Sequence, residues 1–136
     1  MGLEERRAIK TFQESVFPGF VKEIRVFASC PVEVDWDSLA KNDEGVGVEL
    51  WSEYFEKVYF RPLITALKDL ARDNLGKEAL SAGLKKIEIC NKSDNCGSSA
   101  ISFENGVLKI DHKSFTNVDD VSERSEIIVS CLSRGL

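Results

Sequence analysis

One histidine, four cysteines and a run of carboxylates are the residues of this chain with chemistry to offer. His112 stands between Asp111 and Lys113. An imidazole exchanges a proton near neutrality, but nucleophilic catalysis also needs a thiol or hydroxyl within hydrogen-bond reach. The thiols are Cys30, Cys90, Cys96 and Cys131. No two of them are spaced as CxxC, and the paired ligand spacings of a zinc site are missing around Cys90, Cys96 and His112. Five residues separate Cys90 from Cys96 across a polar loop, a spacing that permits a thiol switch without specifying one. The plainer expectation is that the cysteines are small buried hydrophobes in a reducing compartment and that His112 is a surface or structural residue. No P-loop, HExxH, EF-hand or GxSxG pattern occurs, and Gly45-Val46-Gly47 lacks the context of a nucleotide-binding turn. Neither cofactor nor metal is expected, and the chain is read as a non-enzyme. A small thiol-dependent enzyme using Cys90, Cys96 and His112 is the alternative.

The carboxylates are more informative. Between Pro31 and Phe60 stand Glu33, Asp35, Asp37, Asp43, Glu44, Glu49, Glu53 and Glu56, opposed only by Lys41 and Lys57. That stretch is net −6 in a chain of net −5, so the remainder is close to neutral. Phosphate binding needs the opposite sign, which argues against nucleic acid. The same stretch carries Trp36, Trp51, Tyr54, Phe55, Tyr59 and Phe60. Most of these must be core, but aromatic anchors inside a charged rim are also how a protein-binding hot spot is built. Asp35, Trp36, Asp37, Asp43, Glu44, Glu53 and Glu56 are therefore the candidate partner-binding residues, and the expected partner is a basic protein. A nuclease toxin is one such partner, because an acidic inhibitor can imitate its substrate's field and gain on-rate by steering. Small acidic immunity proteins share this general character, a likeness of type with no motif behind it. A homo-oligomeric adaptor or subunit, using the aromatic segment as its interface, is a further alternative.

Composition frames these readings. The chain has 136 residues, 43% of them hydrophobic, which suits one globular domain over 1–136. No apolar run approaches the roughly 20 residues of a spanning helix. The opening MGLEERRAIK lacks a signal-peptide core, and Arg6 stands where a myristoylation motif wants Ser or Thr. The expectation is a cytoplasmic protein with no membrane partner.

The elements that must position these groups follow from periodicity. Ala8, Ile9, Phe12 and Val16 predict a first helix from Leu3 to Val16, stopped at Phe17-Pro18-Gly19. Alternation over Lys22 to Ala28 predicts a strand, and Val32, Val34 and Trp36 a second short one. Asp37 or Ser38 is placed to cap a helical turn through Leu39 and Ala40, before an exposed loop at 41–47. Helical spacing returns from Glu49, with a break or kink at Arg61-Pro62, a buried side of Leu63, Leu67, Leu70 and Ala71, and Gly76 as its C-terminal cap. Lys77 to Leu84 predicts a short helix and Lys86 to Cys90 a strand.

Asn105-Gly106 is a strong hairpin signal, since a type I′ turn needs positive φ at both central residues. It pairs Ile101 with Ile110, Ser102 with Lys109, Phe103 with Leu108 and Glu104 with Val107. The expected fold is α+β: an antiparallel sheet of three to five strands, ending in a meander with this hairpin, and helices on one face in two layers. The last helix opens near Asn117 and Asp120 and buries Val121, Ile128, Cys131 and Leu132.

Overall fold

The computed structural model describes residues 1–136. The helices are α1 (Leu3–Thr11), α2 (Phe17–Arg25), α3 (Trp36–Leu39), α4 (Trp51–Phe55), α5 (Arg61–Leu70), α6 (Asn74–Gly83) and α7 (Val121–Gly135). The strands are β1 (Val32–Val34), β2 (Lys86–Cys90), β3 (Ile101–Glu104) and β4 (Val107–Asp111). Together they form an α+β fold whose helices pack on one four-stranded sheet.

Proline does not end the first helix. α1 runs through a π turn, Phe12–Val16, directly into α2. A proline inside a helix lacks an N–H, and its ring collides with the carbonyl four residues back. Widening the turn before Pro18 removes that collision: the Phe17 amide reaches back five residues, to the Phe12 carbonyl. The same device recurs between α4 and α5. There the π turn Glu56–Phe60 precedes Pro62, and the Arg61 amide bonds to the Glu56 carbonyl. Arg61-Pro62 therefore shifts the hydrogen-bond register without breaking the helix.

The strand expected over Lys22 to Ala28 is instead the end of α2 and the turn after it. Phe20 and Ile24, one helical turn apart, are buried, whereas Val26 is 74% exposed. Helical spacing from Phe17 onward outweighs the local alternation. Two capping assignments also change. Asp35 caps α3, accepting from the Ser38 amide at 3.3 Å. Gly76 closes no helix. It lies in the first turn of α6, which Asp73 caps by accepting from the Gly76 amide at 2.8 Å. Glycine is needed there because a Cβ would strike the Leu70 carbonyl oxygen.

The sheet order is β1-β2-β4-β3. The β3–β4 hairpin has the expected register, Ile101 opposite Ile110 through Glu104 opposite Val107, with φ of 53° at Asn105 and 80° at Gly106. The meander is not formed. β2 pairs in parallel with β4 and with β1, so the sheet is mixed. β4 takes the central position, with Leu108 and Ile110 fully buried. The segment leaving β2 must then cross the end of β4 to reach the far edge. β4 and the residues after it hold that crossing in place. Asp111 accepts from the Lys92 and Ser93 amides, and Lys113 donates its amide to the Asn95 carbonyl.

Ile87, Ile89, Leu108 and Ile110 form the covered face of the sheet, and α7 lies against β3 and α5. The other face is charged, with Lys86 reaching Glu33 at 2.9 Å and Glu88 at 3.0 Å. An aromatic cluster joins the two long helical runs. Phe20 stacks on Phe60 at 5.1 Å, Phe12 meets Phe55 edge-on at 5.3 Å, and Trp36 meets Phe17 edge-on at 5.0 Å. Such pairs each add about 0.5–1.5 kcal/mol beyond burial. No helix is long and apolar enough to cross a membrane.

Candidate functional site

The fold divides the acidic stretch in two. Five of its eight carboxylates are drawn into ion pairs. Glu33 pairs with Lys86, Asp35 with Lys92 at 3.2 Å, Glu44 with Lys113 at 3.8 Å, Glu53 with Lys57 at 3.2 Å and Glu56 with Arg61 at 3.2 Å. Glu44 also accepts from the Thr116 hydroxyl at 2.8 Å. Trp36 is half-buried among Phe12 and Phe17, part of the core's margin. Of the candidate partner-binding residues, Asp35, Glu44, Glu53 and Glu56 pair within the chain, Trp36 packs on the aromatic cluster, and Asp37 and Asp43 stand free of ion pairs. For three of the five pairs the reason is topological. Lys86, Lys92 and Lys113 lie far along the chain, and the fold brings them to Glu33, Asp35 and Glu44. Glu53–Lys57 and Glu56–Arg61 are local pairs on one helical run.

Two of the free carboxylates, Asp37 and Glu49, lie at one end, beside α1. Glu49 is the third unpaired acid of the stretch, in a 3₁₀ turn (Val48–Leu50) that packs on α1. α1 contributes Glu4 and Glu5 from its first turn, also in no ion pair. Acids there suit the helix dipole. Asp37 and Glu5 border one cleft with Trp51, and Glu4 borders another with Val48 and Trp51. This end also carries large exposed apolar side chains, with Leu3 53% and Leu50 39% exposed. The cations alongside are Arg6 and Arg7, since Lys10 pairs with Glu14 at 3.7 Å and Lys41 with Asp94 at 3.4 Å. Glu4, Glu5 and Leu3 lie outside the acidic stretch of the sequence. Their signal is an acidic, mixed-sign first turn with Leu3 beside it, and only the packing of α1 on residues 48–50 gives it meaning.

The thiol and imidazole groups assemble differently. His112 is fully buried, and both ring nitrogens meet the main chain. Nε2 accepts from the Gly97 amide at 3.4 Å, and Nδ1 lies 2.7 Å from the Lys113 carbonyl, which assigns the proton to Nδ1. Burial holds the imidazole below its ordinary range. No cysteine hydrogen-bonds to it. The Cys90 thiol is buried beside Asp111, and burial with that neighbouring charge pushes it up to about 11. Burial likewise raises Cys30. Thiols in such settings are poor nucleophiles. Cys96 and Cys131 are half-buried, and no group of acids, thiols and imidazole is placed to hold a metal ion.

A polar cavity of about 280 Å³ lies next to His112, lined also by Ser98, Asp120, Glu123 and Arg124. Arg124 is only 3% exposed and has no carboxylate partner. Its guanidinium donates to two main-chain carbonyls, that of Lys57 at 3.1 Å and that of Asn117. The Lys57 carbonyl is the one left without an amide when the Arg61 amide shifts to Glu56 and Pro62 offers no N–H. Arg124 therefore closes the hydrogen-bond deficit of the second π turn. Tyr59 of that turn donates to the His112 carbonyl at 2.5 Å and lies 2.9 Å from the Ser114 hydroxyl. This constellation is satisfied from within and presents no nucleophile–base pair.

Comparison with known proteins adds no assignment: no family model, no curated protein and no solved structure matches the chain.

Proposed function

We propose that this chain is an acidic binding protein that docks on a basic protein, and that the specific form of the activity is an immunity-type inhibitor neutralising a nuclease toxin in the cytoplasm. One observation carries the reading. Asp37, Asp43 and Glu49 remain without ion pairs, Asp37 and Glu49 lie at the end that holds Glu4, Glu5, Leu3 and Leu50, and the other five acids of the stretch pair within the chain. Exposed apolar side chains within a rim of net negative charge combine contact area with steering. The saturated His112 and the buried, raised Cys90 favour binding over catalysis.

The test is titration calorimetry against basic nuclease domains at rising salt. The expected complex weakens with salt, weakens at least tenfold in the Asp43→Lys/Glu49→Lys variant, and is unchanged by Glu123→Lys/Glu126→Lys on the far helix. Loss of binding through the α7 pair alone, or no response to either pair, contradicts the reading.

A further inference from the structure

Free acids flank a groove. It lies between the first helical run and the segment 48–52, and holds about 380 Å³. Its apolar lining is Ala8, Phe12 and Val16 on one side and Val48 and Trp51 on the other. Phe12 and Trp51 are its buried floor, while Ala8, Val16 and Val48 are half-buried walls. From Glu4 to Val16 the wall runs for roughly 18 Å, at about 1.5 Å per residue. Beyond the groove, Leu3 and Leu50 continue the apolar surface. The groove lining carries Glu4 and Arg7, Glu49 follows Val48, and Glu5 and Asp37 stand on the adjoining cleft that shares Trp51, so four unpaired acids face two unpaired cations, Arg6 and Arg7.

We infer that this groove seats an amphipathic basic segment of the partner, its apolar side chains between the walls of Ala8, Val16 and Val48 and its lysines or arginines beside Glu4, Glu5, Asp37 and Glu49. The inference rests on the proposed function and adds the place and the chemical pattern of recognition. Shape requires the apolar stripe, since a purely cationic segment would leave the half-buried walls of Ala8, Val16 and Val48 uncovered. Charge requires the cations, since the surplus of unpaired acids repels an acidic segment. Arg7 sets a limit: the segment must place a neutral or acidic residue at that point. The first π turn leaves one acceptor open on the same helical run. The Phe17 amide is taken by Phe12, Pro18 has no N–H, and no side chain donates to the Gln13 carbonyl. Gln13 and Pro18 are both exposed, so this carbonyl is an acceptor on the surface of the run that walls the groove.

The experiment uses the whole chain, labelled with ¹⁵N, and a synthetic leucine–lysine peptide of amphipathic helical pattern, with a scrambled peptide of the same composition. The expected result is that amide resonances of residues 8–16 and 48–52 shift with the amphipathic peptide, and that the scrambled one binds at least tenfold more weakly. Ala8→Leu, which fills the groove without altering charge, and Glu49→Lys, an exposed substitution, each weaken binding about tenfold. Melting curves establish that both variants fold. Equal binding of both peptides, or shifts centred on another acidic surface, overturns the groove while leaving a basic partner in place. Absence of binding by either peptide overturns both proposals.

Discussion

The two π turns are the same answer to one problem, and the molecule uses them in opposite ways. Both sit ahead of a proline inside a long helical run, and both leave one carbonyl without its amide. At Pro62, which is buried, the deficit is closed from outside the helix by Arg124. At Pro18, which is exposed, solvent meets it. An unmet carbonyl costs about 1–3 kcal/mol when buried and little when wet. One turn is therefore locked into the core, and the other is left on the surface, where Phe12 and Val16 line the groove. Wide helical turns often stand at functional places. Here the difference in their surroundings separates a structural turn from one available for contact.

The comparison breaks most visibly at Arg124. Arg124→Met keeps the bulk and strands the Lys57 and Asn117 carbonyls, so it should cost about 3 kcal/mol, read as a lower urea midpoint with unchanged slope. A loss below about 1 kcal/mol would mean that the second turn needs no clamp. His112 supplies the next effect. Its folded form binds the proton less readily than the unfolded chain does, since burial depresses its ordinary value of 6.5. The unfolded state therefore gains protons first as pH falls. Stability should be full above about 6.5 and decline below it, by up to about 1.4 kcal/mol per pH unit. His112→Asn should remove that slope between pH 7.5 and 5, whatever it does to the baseline. If the slope persists, another group carries it.

A smaller effect sharpens the contrast. In Pro62→Ala the new amide can serve the Lys57 carbonyl, so Arg124→Met should cost about 1 kcal/mol less in that background. Pro18→Ala should show no such coupling, because its carbonyl depends on no side chain. Coupling of equal size at both prolines would erase the distinction. The smallest effect belongs to Glu49→Lys, which should change stability by no more than about 0.5 kcal/mol. A larger change would make that surface structural.

The hairpin was legible because two independent signals, turn chemistry at Asn105-Gly106 and alternation on both sides, agree on one register. The order of the strands was not. Alternation in Lys86 to Cys90 says which side chains face the core, and nothing about which strand lies beside them. The passage of the helical runs through proline is not legible, because a π turn has no composition of its own; the helical spacing of Phe17, Phe20 and Ile24 is the signal that the helix continues. The acidic stretch was visible as charge, but its pairing was not. Lys86, Lys92 and Lys113 reach their acids only through the sheet. Arg124 reads as an ordinary surface cation in an SERSE sequence, and only the missing amide of Pro62 explains its burial.

Hydrogen exchange at the two turns, with and without the amphipathic lysine–leucine peptide, tests the central claim most directly. In the free protein the amide of Phe17 should exchange faster than that of Arg61, and the peptide should slow exchange around residues 12–17 while leaving 56–61 unchanged. Equal protection of both turns in the free protein, or slowing by the peptide at the second turn instead of the first, would contradict the account.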